Sequence, residues 1–385
     1  MKKLETANII IRTSKMNIQP KAGNSGFNYA LHGLRGLAAL AVYLAHSVDG
    51  YREHLCQQCS SAPLMESIYF LGAYGVEIFF FLSGYVIFSA SLKSDLNSFF
   101  KHRFWRIYPI FLFFTLLYFA LNHFIQKEPD KDSLEILFYN LLFLDRFSGT
   151  GPLSPNAWSL TFEVWFYIMT FMLLRPIILK ERYFFSIIAV ILWCIFIWKF
   201  PICLYYIAGV ATNIAVKRYK SFFLALNSKF VNSLQLSSLC IVLYYASKSD
   251  YRYHWEFMIG NQDLWLLMVA FVLFMSTLFC RTSMLSRLLQ TKVLMHLGTI
   301  SYTLYLAHPY SYLVARMSAQ KLTELGLPTT QVAILYVILN LVLTTVFVYL
   351  VFIFIEKRLY QLGTGKKIFT PILKAAPEVT PSSNA

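Results

Sequence analysis

The sequence predicts an all-α fold, a polytopic membrane helix bundle of about ten transmembrane helices with both termini in the cytoplasm. Of the 385 residues, 57% are hydrophobic and only 14% are charged, and the mean hydropathy is +0.54. A soluble chain of this size is less apolar. The net charge of +15 comes from short basic pieces between apolar segments, without a basic stripe. We therefore read these residues as topology signals and expect no nucleic-acid partner.

Ten apolar segments are long enough to span a bilayer, and some are interrupted by Gly or Pro. They lie near residues 29–47, 67–91, 105–125, 158–179, 183–200, 202–217, 231–247, 264–281, 296–316 and 331–355. With the N-terminus inside, the cytoplasmic pieces hold 24 Lys and Arg residues and the other side holds 9. This asymmetry favours cytoplasmic termini. We expect a cytoplasmic tail over 1–28, a membrane domain over 29–360 and a second tail over 361–385.

The first segment carries two ionisable residues, Arg35 and His46, in the stretch LRGLAALAVYLAHS. Their spacing brings both to within about 20° of one helix face, roughly 16 Å apart along the axis. That face must look into protein or a water-filled cavity, because lipid tolerates neither side chain. His46, near the outer end, suits a general base that takes a proton from a sugar hydroxyl. The alternative is an interfacial histidine that is hydrogen-bonded to a neighbouring helix.

Two carboxylates lie in later segments. Glu77, in GVEIFFFLSGYVI, is well inside the membrane and needs a partner, either Arg35 or His46. Glu163, in WSLTFE, is about one turn from the outer surface, at a depth similar to that of His46. There it could fix the tautomer of His46 and stabilise the imidazolium that forms. The alternatives are a Glu–Arg packing pair for Glu77 and a plain buried, hydrogen-bonding role for Glu163.

A basic element, FFKHRFWRIYP, stands at the cytoplasmic mouth of the third segment. Arg103 and Arg106 share a helical face, with His102 beside them. Because Arg matches phosphate geometry in bidentate fashion, this cluster, together with Arg35, could clamp the phosphates of a nucleotide-containing donor. An ordinary positive-inside flank is the alternative.

Two further features are less specific. The ninth segment, GTISYTLYLAHP, places Ser301, Tyr305 and His308 on one face, which either adds polar groups to a cavity or packs on a neighbour. Cys56 and Cys59, in the outer loop sequence CQQC, favour a local disulfide or two free thiols over redox catalysis. Two further zinc ligands are not evident nearby, and we expect no metal site.

Five of these stretches occur in an order that resembles the acyltransferase 3 family of integral membrane O-acyltransferases, which modify cell-surface and secreted carbohydrates. They are Arg35-x10-His46, GVEIFFFLSGYVI, the Arg103-x2-Arg106 element, WSLTFE and GTISYTLYLAHP. The resemblance implies a multi-pass protein of the bacterial cytoplasmic (inner) membrane. It also implies a cytoplasmic acyl-coenzyme A donor, acetyl-coenzyme A in the first instance, and a glycan hydroxyl as acceptor on the far side.

The resemblance also implies residue roles. Arg35 and His46 become the essential pair, and Arg103 and Arg106 the donor-binding residues. Members often carry two adjacent arginines where this chain has His102-Arg103, so we expect a weaker or pH-dependent first phosphate contact there.

From the residues and the resemblance together we expect direct acyl transfer to a surface or lipid-linked glycan such as O-antigen or exopolysaccharide. His46 would be the general base, Glu163 its orienting group, and Arg35 would position the donor or Glu77. A covalent acyl-histidine intermediate is an alternative. The rival from another class is a proton-coupled transporter, since ionisable residues inside a bundle also suit a proton relay. A third reading is a partner of polysaccharide assembly without its own activity.

Overall fold

The computed structural model describes residues 28–56, 63–92, 95–125, 128–154, 156–179, 183–249, 251, 253–280 and 283–368. Within these ranges the protein is helical and contains no strand, which confirms the predicted all-α fold. Most of the two predicted tails lies outside the described residues. Cys56 is among the described residues and is disulfide-bonded. Cys59, the partner predicted for it, lies outside the described residues.

The described residues form long helices joined by short ones. In chain order they are α1 (Tyr29–His54), α2 (Pro63–Ala73), α3 (Gly75–Ser91), α4 (Leu96–Ile125), α5 (Leu134–Leu141), α6 (Asp145–Ser148), α7 (Trp158–Leu179), α8 (Phe184–Lys199), α9 (Leu204–Arg218), α10 (Lys220–Ala225), α11 (Ser228–Ala246), α12 (Trp255–Gly260), α13 (Gln262–Thr277), α14 (Met284–Leu288), α15 (Lys292–Glu324), α16 (Thr329–Val351) and α17 (Lys357–Thr364). A π-helical stretch, Phe352–Glu356, joins α16 to α17. Each of the ten predicted apolar segments falls on one or more of these helices.

Three helical segments among the described residues are long and apolar enough to cross a membrane by length and composition. They are Pro63–Ser91, Asn97–Ile125 and Thr329–Thr364. Trp158–Leu174, Phe184–Lys199 and Gln262–Thr277 are apolar but shorter. The total of ten crossings and the side on which the termini lie stay predictions.

Helix α1 extends further than its apolar pattern predicts. The Asn28 side chain accepts a hydrogen bond from the Leu31 backbone N–H and caps its start. At the other end the helix continues past residue 47 to His54, through a polar stretch that includes Asp49 and Arg52. His46 therefore lies about two turns inside α1 rather than at its end.

Close backbone contacts place α1 against α15. A Cβ added at Gly36 would lie 2.4 Å from the backbone nitrogen of Gly298, and one added at Gly298 would lie 2.2 Å from the carbonyl oxygen of His32. Small residues that let backbones approach in this way are typical of helix pairs in membranes. Further along the same pair of helices, His46 of α1 stacks on His308 of α15.

Helices α2 and α3 pack on α1 and meet at Tyr74, where one helix ends and the next begins. A Cβ at Gly72 would lie 2.4 Å from the carbonyl oxygen of Ala41, and one at Gly75 would lie 2.8 Å from that of Ala38. The break thus sits directly on α1. It places Glu77 in the first turn of α3, next to the C-terminal half of α1.

We expect Gly36→Ala to lower the thermal unfolding temperature of the detergent-solubilised protein. The added methyl group forces α1 and α15 apart, which costs about 1–3 kcal/mol. Helical circular dichroism during heating measures the change. Gly260→Ala is the matched control, because a Cβ there meets nothing within 4 Å. If both variants melt alike, the contact between α1 and α15 is looser than described here.

Candidate active site

A cavity of about 330 Å³ lies beside the C-terminal half of α1. His46 and Glu77 both line it, as predicted for residues facing a polar interior. The rest of its wall is rich in aromatic rings with polar tips, namely Tyr69, Tyr74, Trp158, Tyr251, Tyr253 and Tyr305. Such a mixed wall can hold a ligand that has both apolar faces and hydroxyl groups.

The His46 ring is held by other rings. It stacks on the imidazole of His308, with centroids 5.3 Å apart and planes 26° apart. The Tyr69 ring meets it edge to face at 6.5 Å. In the part of the chain that the structure describes, His46 makes ring contacts and no hydrogen bond with a protein group. Its nitrogens are therefore available to a molecule in the cavity.

Glu77 accepts a hydrogen bond of 2.8 Å from the hydroxyl of Tyr253, which follows α11 in the chain. The Tyr253 oxygen lies 3.4 Å from that of Tyr205, and the Tyr74 hydroxyl donates to Tyr205 over 3.0 Å. A chain of phenols thus ends at the carboxylate. Sequence reasoning missed Tyr205 and Tyr253, because no pattern along the chain links them to Glu77.

A second polar cluster lies toward the other end of the same face of α1. Arg35 interacts electrostatically with Arg106, Glu163 and Glu356. Arg106 forms an ion pair with Glu356, its Nη1 lying 3.3 Å from Oε1, and Thr303 donates a short hydrogen bond to the same carboxylate. The Nε of Arg35 is buried and has no hydrogen-bond partner among the described residues. We call Arg35, Arg103, Arg106, Glu163 and Glu356 the inner cluster.

Of the predicted donor-binding residues, Arg103 joins Arg35 and Arg106, and His102 does not. Arg103 stacks over the ring of Tyr167 at 5.5 Å, and Tyr167 also interacts with Arg35. The Nδ1 of His102 lies 2.7 Å from the Ser98 carbonyl oxygen, one turn back on its own helix. Its Nε2 is buried without a partner in the described ranges. A phosphate contact at His102 would therefore have to be made through Nε2.

The predicted contact between Glu163 and His46 is wrong. Glu163 accepts a hydrogen bond of 3.0 Å from Ser83 and a short one from Tyr167, and it belongs to the inner cluster. Its depth explains the error. His46 lies about two turns inside α1, level with Asn156, and Glu163 lies seven residues beyond Asn156, roughly 10 Å further along the bundle.

The structure places His308 beside His46. The sequence pattern left open whether His308 faces a cavity or packs on a neighbouring helix. His308 is fully buried. Asn156, just before α7, places its Nδ2 3.1 Å from the Nε2 of His308 and 3.0 Å from the carbonyl oxygen of Tyr305. Pro309 was the available signal, since a proline inside a helix leaves the carbonyl four residues earlier without its usual donor. That carbonyl is the one of Tyr305.

The chain matches a family model described as an acyltransferase domain over residues 28–353. It is 31% identical over 147 residues to acyltransferase MdmB of Streptomyces mycarofaciens, covering 36% of this chain and 37% of that one. It is 26% identical over 335 residues to the protein named putative peptidoglycan O-acetyltransferase YrhL of Bacillus subtilis (strain 168), covering 76% and 51%. The chain therefore spans about half or less of the length of these curated relatives. No solved structure matches it significantly.

We expect Tyr253→Phe to lower the unfolding free energy by about 1–3 kcal/mol, because it removes the hydrogen bond donated to a buried carboxylate. Thermal unfolding of the purified protein measures the loss. Tyr85→Phe is the control, since the hydroxyl of Tyr85 has no hydrogen-bond partner in the described ranges and its ring stacks on Phe279. Equal stability of the two variants would show that Tyr253 does not support Glu77.

Proposed function

This chain belongs to the acyltransferase 3 family, and from that premise we propose that it is a membrane O-acyltransferase of the bacterial inner membrane. It moves an acyl group, acetyl in the first instance, from cytoplasmic acyl-coenzyme A to a hydroxyl of a surface or lipid-linked glycan. O-antigen, lipopolysaccharide and exopolysaccharide chains are acceptors of this kind.

One observation carries the proposal: a single face of α1 connects the inner cluster, through Arg35, to the cavity, through His46. The two residues lie roughly 16 Å apart along the helix axis. An extended pantetheine arm spans a distance of this order. With its phosphates at the inner cluster, a coenzyme A thioester would have its reactive end toward His46.

The charges of the inner cluster suit a phosphate-bearing donor. Three arginines stand against two carboxylates there, and Arg106 alone forms a direct ion pair with Glu356. Arg35 has a buried Nε without a partner in the described part of the chain. A phosphate group would supply both the missing acceptor and the missing negative charge, because Arg binds phosphate through paired, charge-assisted hydrogen bonds.

His46 performs the proton transfers. It takes the proton of the acceptor hydroxyl as that oxygen forms a bond to the thioester carbonyl carbon. The carbon–sulfur bond then breaks, and His46 returns the proton to the leaving thiolate. The reaction consumes no net proton, which fits a base that stacks on rings and whose nitrogens make no hydrogen bond with the described residues.

The cavity supports a carbohydrate as acceptor. Its wall combines aromatic faces, which cover the apolar side of a sugar ring, with phenol, amide and carboxylate groups that bind hydroxyls. The relative from Bacillus subtilis carries a name that assigns it a peptidoglycan substrate, also a carbohydrate. Family membership favours this enzyme over the proton-coupled transporter, which would need no acyl donor.

We expect His46→Ala to abolish O-acylation while the protein still inserts in the membrane, because the step then lacks its base. Mass spectrometry of surface glycans from cells with and without the protein measures the acyl increment and locates it. His123→Ala is the control, since His123 is 61% exposed and bonds to Asp132. Acylation that survives His46→Ala would contradict the assignment of the base.

We expect Arg106→Ala to raise the acetyl-coenzyme A concentration needed for half-maximal transfer by about tenfold or more, since a phosphate loses a charge-assisted contact. Transfer of labelled acetyl groups to the deacylated glycan by purified protein gives this value. Arg287→Ala, at an exposed arginine of α14, is the matched control. An unchanged donor dependence in Arg106→Ala would count against phosphate binding at the inner cluster.

A further inference from the structure

The environment of His308 is set by a proline in its own helix. Pro309 has no N–H, so the carbonyl oxygen of Tyr305 lacks the donor it would have in a regular helix. The side-chain nitrogen of Asn156 replaces that donor over 3.0 Å. A carbonyl oxygen only accepts, so this contact fixes which end of the amide faces α15.

The second proton of the same amide group fixes the state of His308. Asn156 Nδ2 lies 3.1 Å from Nε2 of His308, so that nitrogen must accept and carries no proton. The other ring nitrogen, Nδ1, lies 2.9 Å from the carbonyl oxygen of Leu304 and must donate. Both contacts require the neutral tautomer with its proton on Nδ1. A proton added at Nε2 would point at an N–H group, inside a site with no solvent exposure.

A neutral ring is the right neighbour for a base that becomes charged. His308 stacks on His46 at 5.3 Å, and an imidazolium at His46 would lie against its π face. Such a contact attracts a cation, most strongly where water is excluded. A second imidazolium in that place would repel it. The other rings around the pair, Tyr43 and Tyr305 against His308 and Tyr69 against His46, carry no charge at neutral pH.

We propose that His308, locked in one neutral tautomer by Asn156, is the positioning residue for His46. It holds the ring of the base in line with the cavity and stabilises the imidazolium formed when His46 takes the acceptor's proton. This inference rests on the proposed function. It assigns to a stacked imidazole and an amide the role that a carboxylate plays in the familiar histidine triads, and Glu163 belongs to the inner cluster instead.

Three variants separate the parts of this arrangement. His308→Ala removes the stacked ring, Asn156→Asp replaces the donor with an acceptor and lets His308 take a proton, and His308→Phe keeps an uncharged ring. Ser159→Ala is the control, because it removes hydrogen bonds of 2.9 Å to the Tyr305 hydroxyl and 3.5 Å to the backbone carbonyl of Asn156 but leaves the Asn156 amide and His308 in place.

The first measurement is transfer of labelled acetyl groups from acetyl-coenzyme A to surface glycan stripped of its acyl groups by mild alkali. We expect the maximal rate to fall about tenfold or more in His308→Ala and Asn156→Asp. The donor concentration for half-maximal transfer should stay within about twofold of wild type, because the inner cluster is intact. His308→Phe should recover most of the rate, and Ser159→Ala should match wild type.

The second measurement does not depend on transfer. Diethyl pyrocarbonate modifies neutral imidazole, and peptide mass spectrometry gives the rate at His46 in the full-length protein. Measured over a range of pH, this rate falls as His46 takes a proton. We expect His308→Ala and Asn156→Asp to lower the pH at which the rate is half-maximal by about 0.5, roughly a threefold change in the protonation equilibrium, because the imidazolium loses its neutral neighbour. His308→Phe and Ser159→Ala should react like wild type.

The outcomes are distinct. A wild-type pH dependence of the modification at His46 in both His308→Ala and Asn156→Asp overturns the inference, as does an equal loss of transfer in Ser159→Ala. If wild-type protein transfers no acetyl group but the modification rates change as stated, the proposed function fails and the coupling of His308 to His46 stands.

Discussion

The contact of α1 with α15 is the constraint on which the rest of the site depends. At Gly36 and Gly298 the two backbones approach so closely that neither position accommodates a Cβ. This contact sets the facing registers of both helices along their length. It places His46 on His308 at one level and Arg35 among the charged side chains of the inner cluster at another. Bulkier residues at these two glycines would move α1 away from α15 and so disturb the site at both levels.

The two levels differ in their electrostatics, and the difference fits the ligands proposed for each. The inner cluster holds three arginines with Glu163 and Glu356, so it keeps a positive balance that a phosphate can neutralise. The cavity level has the Glu77 carboxylate held by a phenol, and otherwise presents neutral groups. The proposed function uses this separation: ionic recognition of a donor and hydroxyl chemistry on an acceptor would take place at different levels of one helix.

The sequence predicted the helices well and the contacts between them poorly. Apolar segments long enough to span a membrane all fall on helices, because burial in lipid or protein requires continuous apolar runs. The end of α1 was misplaced since its last turns, around Asp49 and Arg52, are polar yet helical. The depth at which α7 starts was also misplaced, because Asn156 contacts Tyr305 and His308 at the level of His46. This second error gave Glu163 the wrong partner. The hydrogen bond from Tyr253 to Glu77 joins residues 176 positions apart, a relation that spacing cannot reveal.

The proline inside α15 accounts for the long-range contact that Asn156 makes with this helix. A proline inside a helix creates an acceptor that some other element must satisfy, because a buried carbonyl without a donor is costly. Here the donor comes from the residue before α7, and its second proton reaches His308. The same amide therefore supplies the hydrogen-bond donor that the helix lacks and sets the tautomer of the ring that stacks on His46. A residue that only repaired the helix could be replaced by any donor, whereas the contact to Nε2 also requires a second proton on the same group, which a serine or threonine hydroxyl does not have.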